Sequence, residues 1–365
     1  MEAMDDHHSG RPLRRGWTTG ACAAAAAKAA ARALLGGGFP DPVSVTLPKG
    51  QKPSFALSRQ VLADGRATAG IIKDAGDDPD ITDGAEVVVS VEASEPEGGV
   101  AFKAGEGVGT VTLPGLPLAV GEPAINPAPR RMIAEALKTV ADEFGAAADF
   151  TVTVSIPGGE RLAEKTLNGR LGIRGGLSVL GTTGVVVPYS CSAWIASIHQ
   201  GVDVARATGL DHIAGATGGT SEAAVKVLHG LPEEALIGMG DFAGGLFKYL
   251  RGHPVPRLTV AGGFAKMVKL AQGRLDLHSA KSKVDFRQLA GLLEGFEAPV
   301  EAVRRARAAN TAAEVLDIAR SLDLPLAEQV ARQAREVVLA NLDDTIAVDA
   351  VVFDRDGGLI GHAGT

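Results

Sequence analysis

From Lys73 to Asp80 the sequence reads Lys-Asp-Ala-Gly-Asp-Asp-Pro-Asp, which crowds Asp74, Asp77, Asp78 and Asp80 into seven positions. Carboxylates this close repel one another unless a cation or a proton relieves them. The loop is therefore either a solvated acidic turn or a set of groups that hold and move protons. A calcium loop is a third option, but the spacing does not match an EF-hand. Strand edges bracket the loop, at Thr68-Ala69-Gly70 before it and Ile81-Thr82-Asp83-Gly84 after it. That placement raises the weight of the functional option, so Asp74, Asp77, Asp78 and Asp80 are the catalytic candidates.

Four arginines could grip an acidic ligand. Arg130 and Arg131 follow a segment with five prolines between 114 and 129, a stiff non-repetitive stretch suited to a ligand wall. Arg170 and Arg174 stand in the glycine-rich run Thr166–Gly176. A guanidinium can hold a carboxylate through two parallel hydrogen bonds. The plain alternative for the first pair is a helix start with solvated arginines. His278 has the intrinsic pKa for acid–base work, although a lone histidine is more often structural.

Glycine-rich turns form the third group. Short apolar runs lead into Gly181-Thr182-Thr183-Gly184, Ala216–Ser221, Gly238-Met239-Gly240-Asp241 and Gly262-Gly263. Each turn except the first leads on into a helical stretch. Such turns either close tight strand-to-helix connections or bring backbone N–H groups close to a ligand. None is a GxGxxG fingerprint or a P-loop.

The elements that must position these groups divide in style. An alanine-rich helix runs to Leu35 and is ended by Gly36–Gly38. Strand-like stretches follow at Val43–Leu47, Ser54–Leu62, Ala67–Ile72, Ala85–Glu92 and Phe150–Ile156, with a helix at Ala128–Phe144. That half reads as α+β. Beyond about residue 165, strands alternate with helices, which implies βαβ units and a mostly parallel sheet. Helices then fill Phe286 to about Leu342, and Ala347–Phe353 with Leu359–Ile360 reads as a hairpin. The expected layout is a disordered tail at 1–12, an α+β domain at 13–165 and an α/β domain at 166–365.

Composition removes several classes. At 365 residues the chain suits two domains, at roughly 150 residues each. The formal net charge is −7 and aromatics are 4%, which argues against a nucleic-acid partner. The apolar stretch Ala21–Leu35, broken by Lys28 and Arg32, is too short to span a bilayer, so no membrane partner is expected. Cys22 and Cys191 lack metal-type spacing and fit a reducing cytoplasm, and no metal site is expected. A homo-oligomer is left open.

Several of these stretches together resemble the CbiD family, the cobalt-precorrin-5B C1-methyltransferases. They are Arg15–Ala24 (RGWTTGACAA), the acidic loop Lys73–Asp80, Gly107–Arg131 with its GEPAINP core, Thr166–Gly176, and Gly176–Tyr189 with LGTTGVV. The match spans residues 15 to 190 and is looser beyond 200. Trp17, Asp83, Gly169 and the run Leu277-His278-Ser279 depart from the residues common in the family. The resemblance implies a ribosomal S5 domain 2-like α+β domain followed by a Rossmann-like α/β domain. It implies transfer of a methyl group from S-adenosylmethionine to C1 of a cobalt-bearing contracted tetrapyrrole, with cobalt arriving only as part of the substrate.

On that basis Thr18, Thr19, Arg130, Arg131, Arg170 and Arg174 are expected to bind the tetrapyrrole and its carboxylate arms. Gly181, Thr182, Thr183 and Gly184 are expected to hold the cofactor, with Gly238, Gly240 and Asp241 second. Methyl transfer from a sulfonium needs mainly alignment, so the aspartates act as a base or orient ring N–H groups. Two other functions are weighed. A small-molecule kinase would suit the α+β half and the turn Gly105–Thr110, but it lacks a P-loop lysine. A non-catalytic corrinoid-binding protein is the other.

Overall fold

The computed structural model describes residues 12–96, 98–342 and 345–364. The expected tail, Pro12 apart, lies outside the described residues. The chain forms two compact units that divide between Ser190 and Cys191, not at the expected 165/166. The reason is packing. Leu177 and Val179 are buried in the core of the first unit. Ile173–Arg174 pairs with Thr110–Val111, and Val185–Val186 pairs with Gly16–Trp17. The onset of glycine-rich turns in the sequence therefore precedes the true boundary.

In the first unit, β1 (Arg59–Ala63), β2 (Arg66–Ile72), β3 (Glu86–Ala93), β4 (Val100–Ala104) and β5 (Phe150–Ser155) form one sheet in the order β1-β2-β3-β5-β4. All neighbours are antiparallel except β4 and β5, which run parallel. Alternation sends Ala67, Ala69 and Ile71 of β2 and Val87, Val89 and Val91 of β3 to one buried face. Thr68 and Ser90, at the intervening positions, share a 2.8 Å hydrogen bond.

Helices α1 (Thr19–Leu34) and α2 (Pro127–Phe144) join the core on that face. Alanine has the highest helix propensity and almost no bulk, so α1 forms readily and is buried nearly all round. Thr18 caps it, its Oγ1 accepting from the Ala21 N–H at 3.2 Å. Proline opens α2, where a missing N–H is harmless, and Gly145 ends it in the left-handed region at φ 63°. Gly20 lies against Pro129 and Met132, while Arg32 pairs with Glu143 at 2.7 Å. The two helices thus run parallel, amino ends together.

The second unit opens with α3 (Cys191–Ala207), a helix that the sequence pattern did not reveal. Then come β6 (His212–Ala216), α4 (Gly219–His229), β7 (Leu236–Gly238), α5 (Ala243–Gly252), β8 (Arg257–Gly263) and α6 (Phe264–Ala271). Four more helices, α7 (Phe286–Gly295), α8 (Val300–Arg307), α9 (Ala312–Arg320) and α10 (Leu326–Leu339), precede β9 (Ala347–Phe353) and β10 (Leu359–Ala363). The sheet order is β7-β6-β8-β9-β10, parallel except for β10. Alternate strand residues serve two cores. Ile213, Val260 and Val352 face one, while Ala214, Ala261 and Val351 face Val225 of α4 in the other. Helices therefore cover both faces, as a parallel sheet requires. Among the described residues no helix is long and apolar enough to cross a membrane.

Candidate functional site

In the first unit a backbone ladder ties the motif stretches together beside the paired helix starts. The Gly109 N–H donates to Leu177 O at 2.9 Å, Ala124 N–H to Gly109 O at 2.8 Å and Val179 N–H to Ala124 O at 2.8 Å. The Asn126 N–H donates to Val179 O at 3.0 Å, and the Gly20 N–H to Leu180 O at 3.1 Å. Asn168 is buried and donates to Gly176 O at 3.1 Å, which knits Thr166–Gly176 into the same assembly.

The turn Gly181–Gly184 belongs here too, and this corrects the expectation that four glycine turns gather on one sheet. Gly181 has φ +122°, and a Cβ there would overlap Thr18. The Thr18 N–H donates to Gly184 O at 3.0 Å. The turn is shaped to lie on the cap of α1 rather than to lead from a strand into a helix. Thr18 and Thr19 are both buried at this contact, and Thr182 is exposed on the turn.

The acidic loop closes on the chain's own segments. The Arg14 guanidinium donates to Asp74 at 2.5 and 2.8 Å, and the Arg14 N–H donates to Asp77 Oδ2 at 2.6 Å. The Tyr189 N–H donates to Asp78 Oδ1 at 2.8 Å. Asp80 pairs with Lys73, whose side chain is only 1% exposed and which also donates to Thr82 Oγ1 at 2.8 Å. The Arg14 hydrogen bond holds the Asp74 carboxyl below its usual range. Burial alone would push Asp80 up, but the Lys73 ammonium and the Thr82 donors outweigh it and hold it low. Groups held ionised this firmly are poor proton carriers near neutral pH. Asp74 and Asp80 are thus tied up as struts of the loop, which weighs against the catalytic role expected of them. Asp77 and Asp78 sit beside them, each accepting a backbone N–H.

The arginines separate in the same way. Arg130 donates to Ile125 O at 2.8 Å, to Glu122 Oε2 at 2.8 Å and to Pro123 O at 3.1 Å, and it lies 5.3 Å over the Phe102 ring. It pins its own proline-rich segment, which weighs against the substrate-binding role expected of it. Arg131, on the first turn of α2, and Arg174, on the strand beside Thr110, are exposed. Arg170 is half-buried in the knitted loop.

In the second unit, three glycine turns do meet at the carboxyl edge of the parallel sheet. The Gly240 N–H donates to Ala216 O at 3.1 Å, and the Thr217 N–H to Ala261 O at 2.9 Å. The strand order reverses between β6 and β8, and the Thr217–Gly219 turn stands at that switch point, where open α/β sheets place their ligands. The Trp194 indole donates to Gly238 O at 3.0 Å and its ring backs Gly240. Asp241 is ion-paired with Lys266 through Oδ1.

Comparison with known proteins gives this geometry a context. Residues 6–188 match the family model described as CbiD, and residues 276–364 match that of the CbiD C-terminal domain. A cobalt-precorrin-5B C(1)-methyltransferase of Methylorubrum extorquens is 60% identical over 351 residues, covering 95% of this chain and 97% of that protein. The same-named protein of Paramagnetospirillum magneticum is 57% identical over 96% of this chain and 98% of its own. The chain belongs to the CbiD family. A solved structure of a cobalamin biosynthesis protein (CbiD) from Archaeoglobus fulgidus is similar over 74% of this chain and 84% of its own, at 27% identity and a TM-score of 0.41.

Positions expected to depart from residues common in the family have local duties in this CbiD chain. Trp17 packs edge-on against Phe55 at 5.8 Å, and Asp83 accepts from the Ala75 N–H at 2.7 Å. His278 Nδ1 accepts from the Ala280 N–H at 3.2 Å in a turn of its own. Cys22, in the opening motif, is buried in α1, and burial pushes its thiol up to about 12, so it is no nucleophile. Trp194 was too isolated in the sequence to single out, and it emerges only because Gly240 packs on it.

Proposed function

We propose that this chain transfers a methyl group from S-adenosylmethionine to ring carbon C1 of cobalt-precorrin-5B, giving cobalt-precorrin-6A in cobalamin biosynthesis. The observation that carries this is the likeness, at 60% identity over 95% of the chain, to a protein of that name. We further read the first unit as ribosomal S5 domain 2-like and the second as Rossmann-like.

Physical chemistry supports a division of labour. The tetrapyrrole carries several carboxylates. Two parallel helices that present their amino ends together form a positive pole for such arms. Arg131 of α2 is exposed beside that pole, and Arg174 stands on the ladder that leads to it, so both suit bidentate carboxylate binding. Thr18 and Thr19 shape the floor, and the Gly181–Gly184 turn, folded onto Thr18, fits the substrate side better than the cofactor side. Gly238, Gly240 and Asp241, with Thr217–Gly219 at the switch point, suit the cofactor. In this reading the second oxygen of Asp241 accepts from a ribose hydroxyl.

S-adenosylmethionine supplies an electrophilic methyl on a sulfonium. C1 belongs to an electron-rich, enamine-like system and serves as the nucleophile. The protein's task is alignment, which is worth far more than any single contact. Asp77 and Asp78 remain to orient ring N–H groups or accept a proton.

Incubation of the purified chain with cobalt-precorrin-5B and S-adenosylmethionine tests this. The expected product is heavier by one methyl, with S-adenosylhomocysteine formed in equal amount. Tetrapyrrole binding without a mass change would mean a carrier. Thermal stabilisation by ATP but not by S-adenosylmethionine would favour the phosphoryl-transfer alternative.

A further inference from the structure

At the amino edge of the second unit's sheet, away from its glycine turns, three ligand-type side chains meet. His212 opens β6, His229 ends α4, and Asp349 lies near the start of β9. One donor atom from each lies within 4.8 Å of the others. The two imidazole rings stand edge to face with centroids 4.9 Å apart. We infer that His212, His229 and Asp349 form a binding site for one divalent transition-metal ion of the zinc class, with His362 at its mouth.

Two observations point the same way. The Asp349 side chain is 1% exposed, yet its Oδ1 is buried with no hydrogen-bond partner among the described residues. A buried carboxylate oxygen without a partner is costly, and a bound cation removes that penalty. Its other oxygen is anchored by Arg257 Nε at 2.6 Å, the outer hydrogen bond that a metal-ligating carboxylate usually keeps. Thr259 Oγ1 lies among the three groups, 2.8 Å from His212 Nε2, 3.5 Å from His229 Nε2 and 3.3 Å from Asp349 Oδ2, and holds them toward one point.

Second, a further imidazole stands beside the unanswered oxygen. A Cβ on Gly364 would overlap Asp349 Oδ1 and lie 2.9 Å from His362 Nε2. Both side chains therefore close on Gly364, so His362 borders the same carboxylate oxygen. Two imidazoles and one carboxylate are a common donor set for zinc. The guanidinium of Arg257 opposes a second positive charge, but that side chain is 38% exposed and water screens it.

The test uses the full-length protein stripped with a chelator, then titrated with Zn2+ alone and assayed by calorimetry, plasma mass spectrometry and thermal melting. One equivalent per chain and a metal-dependent rise in melting temperature are expected. Substituting both His212→Gln and His229→Gln should lower affinity at least tenfold, since even outer-shell changes weaken metal sites by about that factor. Gly364→Val, whose side chain must displace Asp349 Oδ1 while leaving both histidines in place, should also abolish the thermal shift, and it decides the matter should the histidine variant fold poorly. Absence of stoichiometric zinc in the parent protein overturns the proposal. So does binding that survives both variants, because it would then reside elsewhere, for instance on His7 and His8.

Discussion

Two regions of this molecule bring acids and bases together, and they do so to opposite ends. In the first unit the chain itself supplies ion-pair partners for two carboxylates of the acidic loop and a single backbone N–H for each of the other two. Asp74 has Arg14, Asp80 has Lys73, and Asp77 and Asp78 have backbone N–H groups. At the amino edge of the second sheet, Asp349 has one oxygen answered and one not. In the sequence the first region looks like a reactive site, and the second does not register at all. A cluster of charge is therefore no guide to chemistry until its partners are known. Satisfied pairs are architecture, and the residual unsatisfied or exposed group is where a ligand belongs.

The largest effect expected from this contrast is at Asp80. Asp80→Asn leaves the Lys73 ammonium buried without its counter-ion, and removing one partner of a buried pair typically destabilises by about 3–5 kcal/mol. Chemical denaturation should show a loss of that order. A loss below about 1 kcal/mol would mean that the pair is not a strut. Next comes Asp77→Asn, in the same loop but without a side-chain cation. Its turnover should fall by about a hundredfold or more, the usual range for a general base, with the melting temperature and substrate affinity little changed. A variant that lost stability and kept turnover would return Asp77 to the architectural class.

The arginines sharpen the same contrast at smaller scale. Replacing both Arg131 and Arg174 by alanine removes two exposed cations, each worth about 1.5–3 kcal/mol if bonded to a carboxylate. Tetrapyrrole affinity should drop more than tenfold in calorimetry while S-adenosylmethionine affinity holds. Arg130→Ala should do the reverse, lowering the melting temperature through the freed Glu122–Ile125 segment. Equal effects of the two changes on substrate affinity would erase the distinction between pinned and open arginines.

How much of this was legible beforehand follows from which signals are local. The alanine run gave α1, and strict alternation in Phe150–Ser155 gave β5, because propensity and period act within one element. Strand β4 was missed, since an edge strand that is partly or wholly exposed along its length has no clean alternation. Helix α3 was missed because its first turn is exposed and follows a run of turn-forming residues. Gly181–Gly184 was placed with the wrong sheet. A glycine turn looks the same whether it leads into a helix or folds over a threonine cap, and only the clash at Thr18 separates the two. His212, His229 and Asp349 are too far apart in the sequence for any spacing rule, and only the parallel pairing of β6, β8 and β9 together with the return of α4 to the same edge brings them together. The opening motif, the proline-rich core and the LGTTG turn were readable as a set, yet their meeting at the amino ends of α1 and α2 was not.

The mildest test of the strut assignment is acidity. The Asp80 carboxyl is held below its ordinary value of 3.8 in the folded protein, by Lys73 and Thr82 against the opposing effect of burial. The unfolded chain has no such partners, so its Asp80 titrates near the ordinary value. Between the two, the unfolded state binds more protons than the folded one, and stability falls as pH drops. The contribution is fully present above about pH 4 and is lost as pH falls through the depressed value. Denaturation of the parent protein should therefore weaken below about pH 4, and Asp80→Asn should remove part of that slope. Asp74, paired with Arg14 on the surface, shifts in the same direction but is exposed, so Asp74→Asn should remove less. If Asp74→Asn flattened the acid limb more than Asp80→Asn did, burial would not be what separates the two struts.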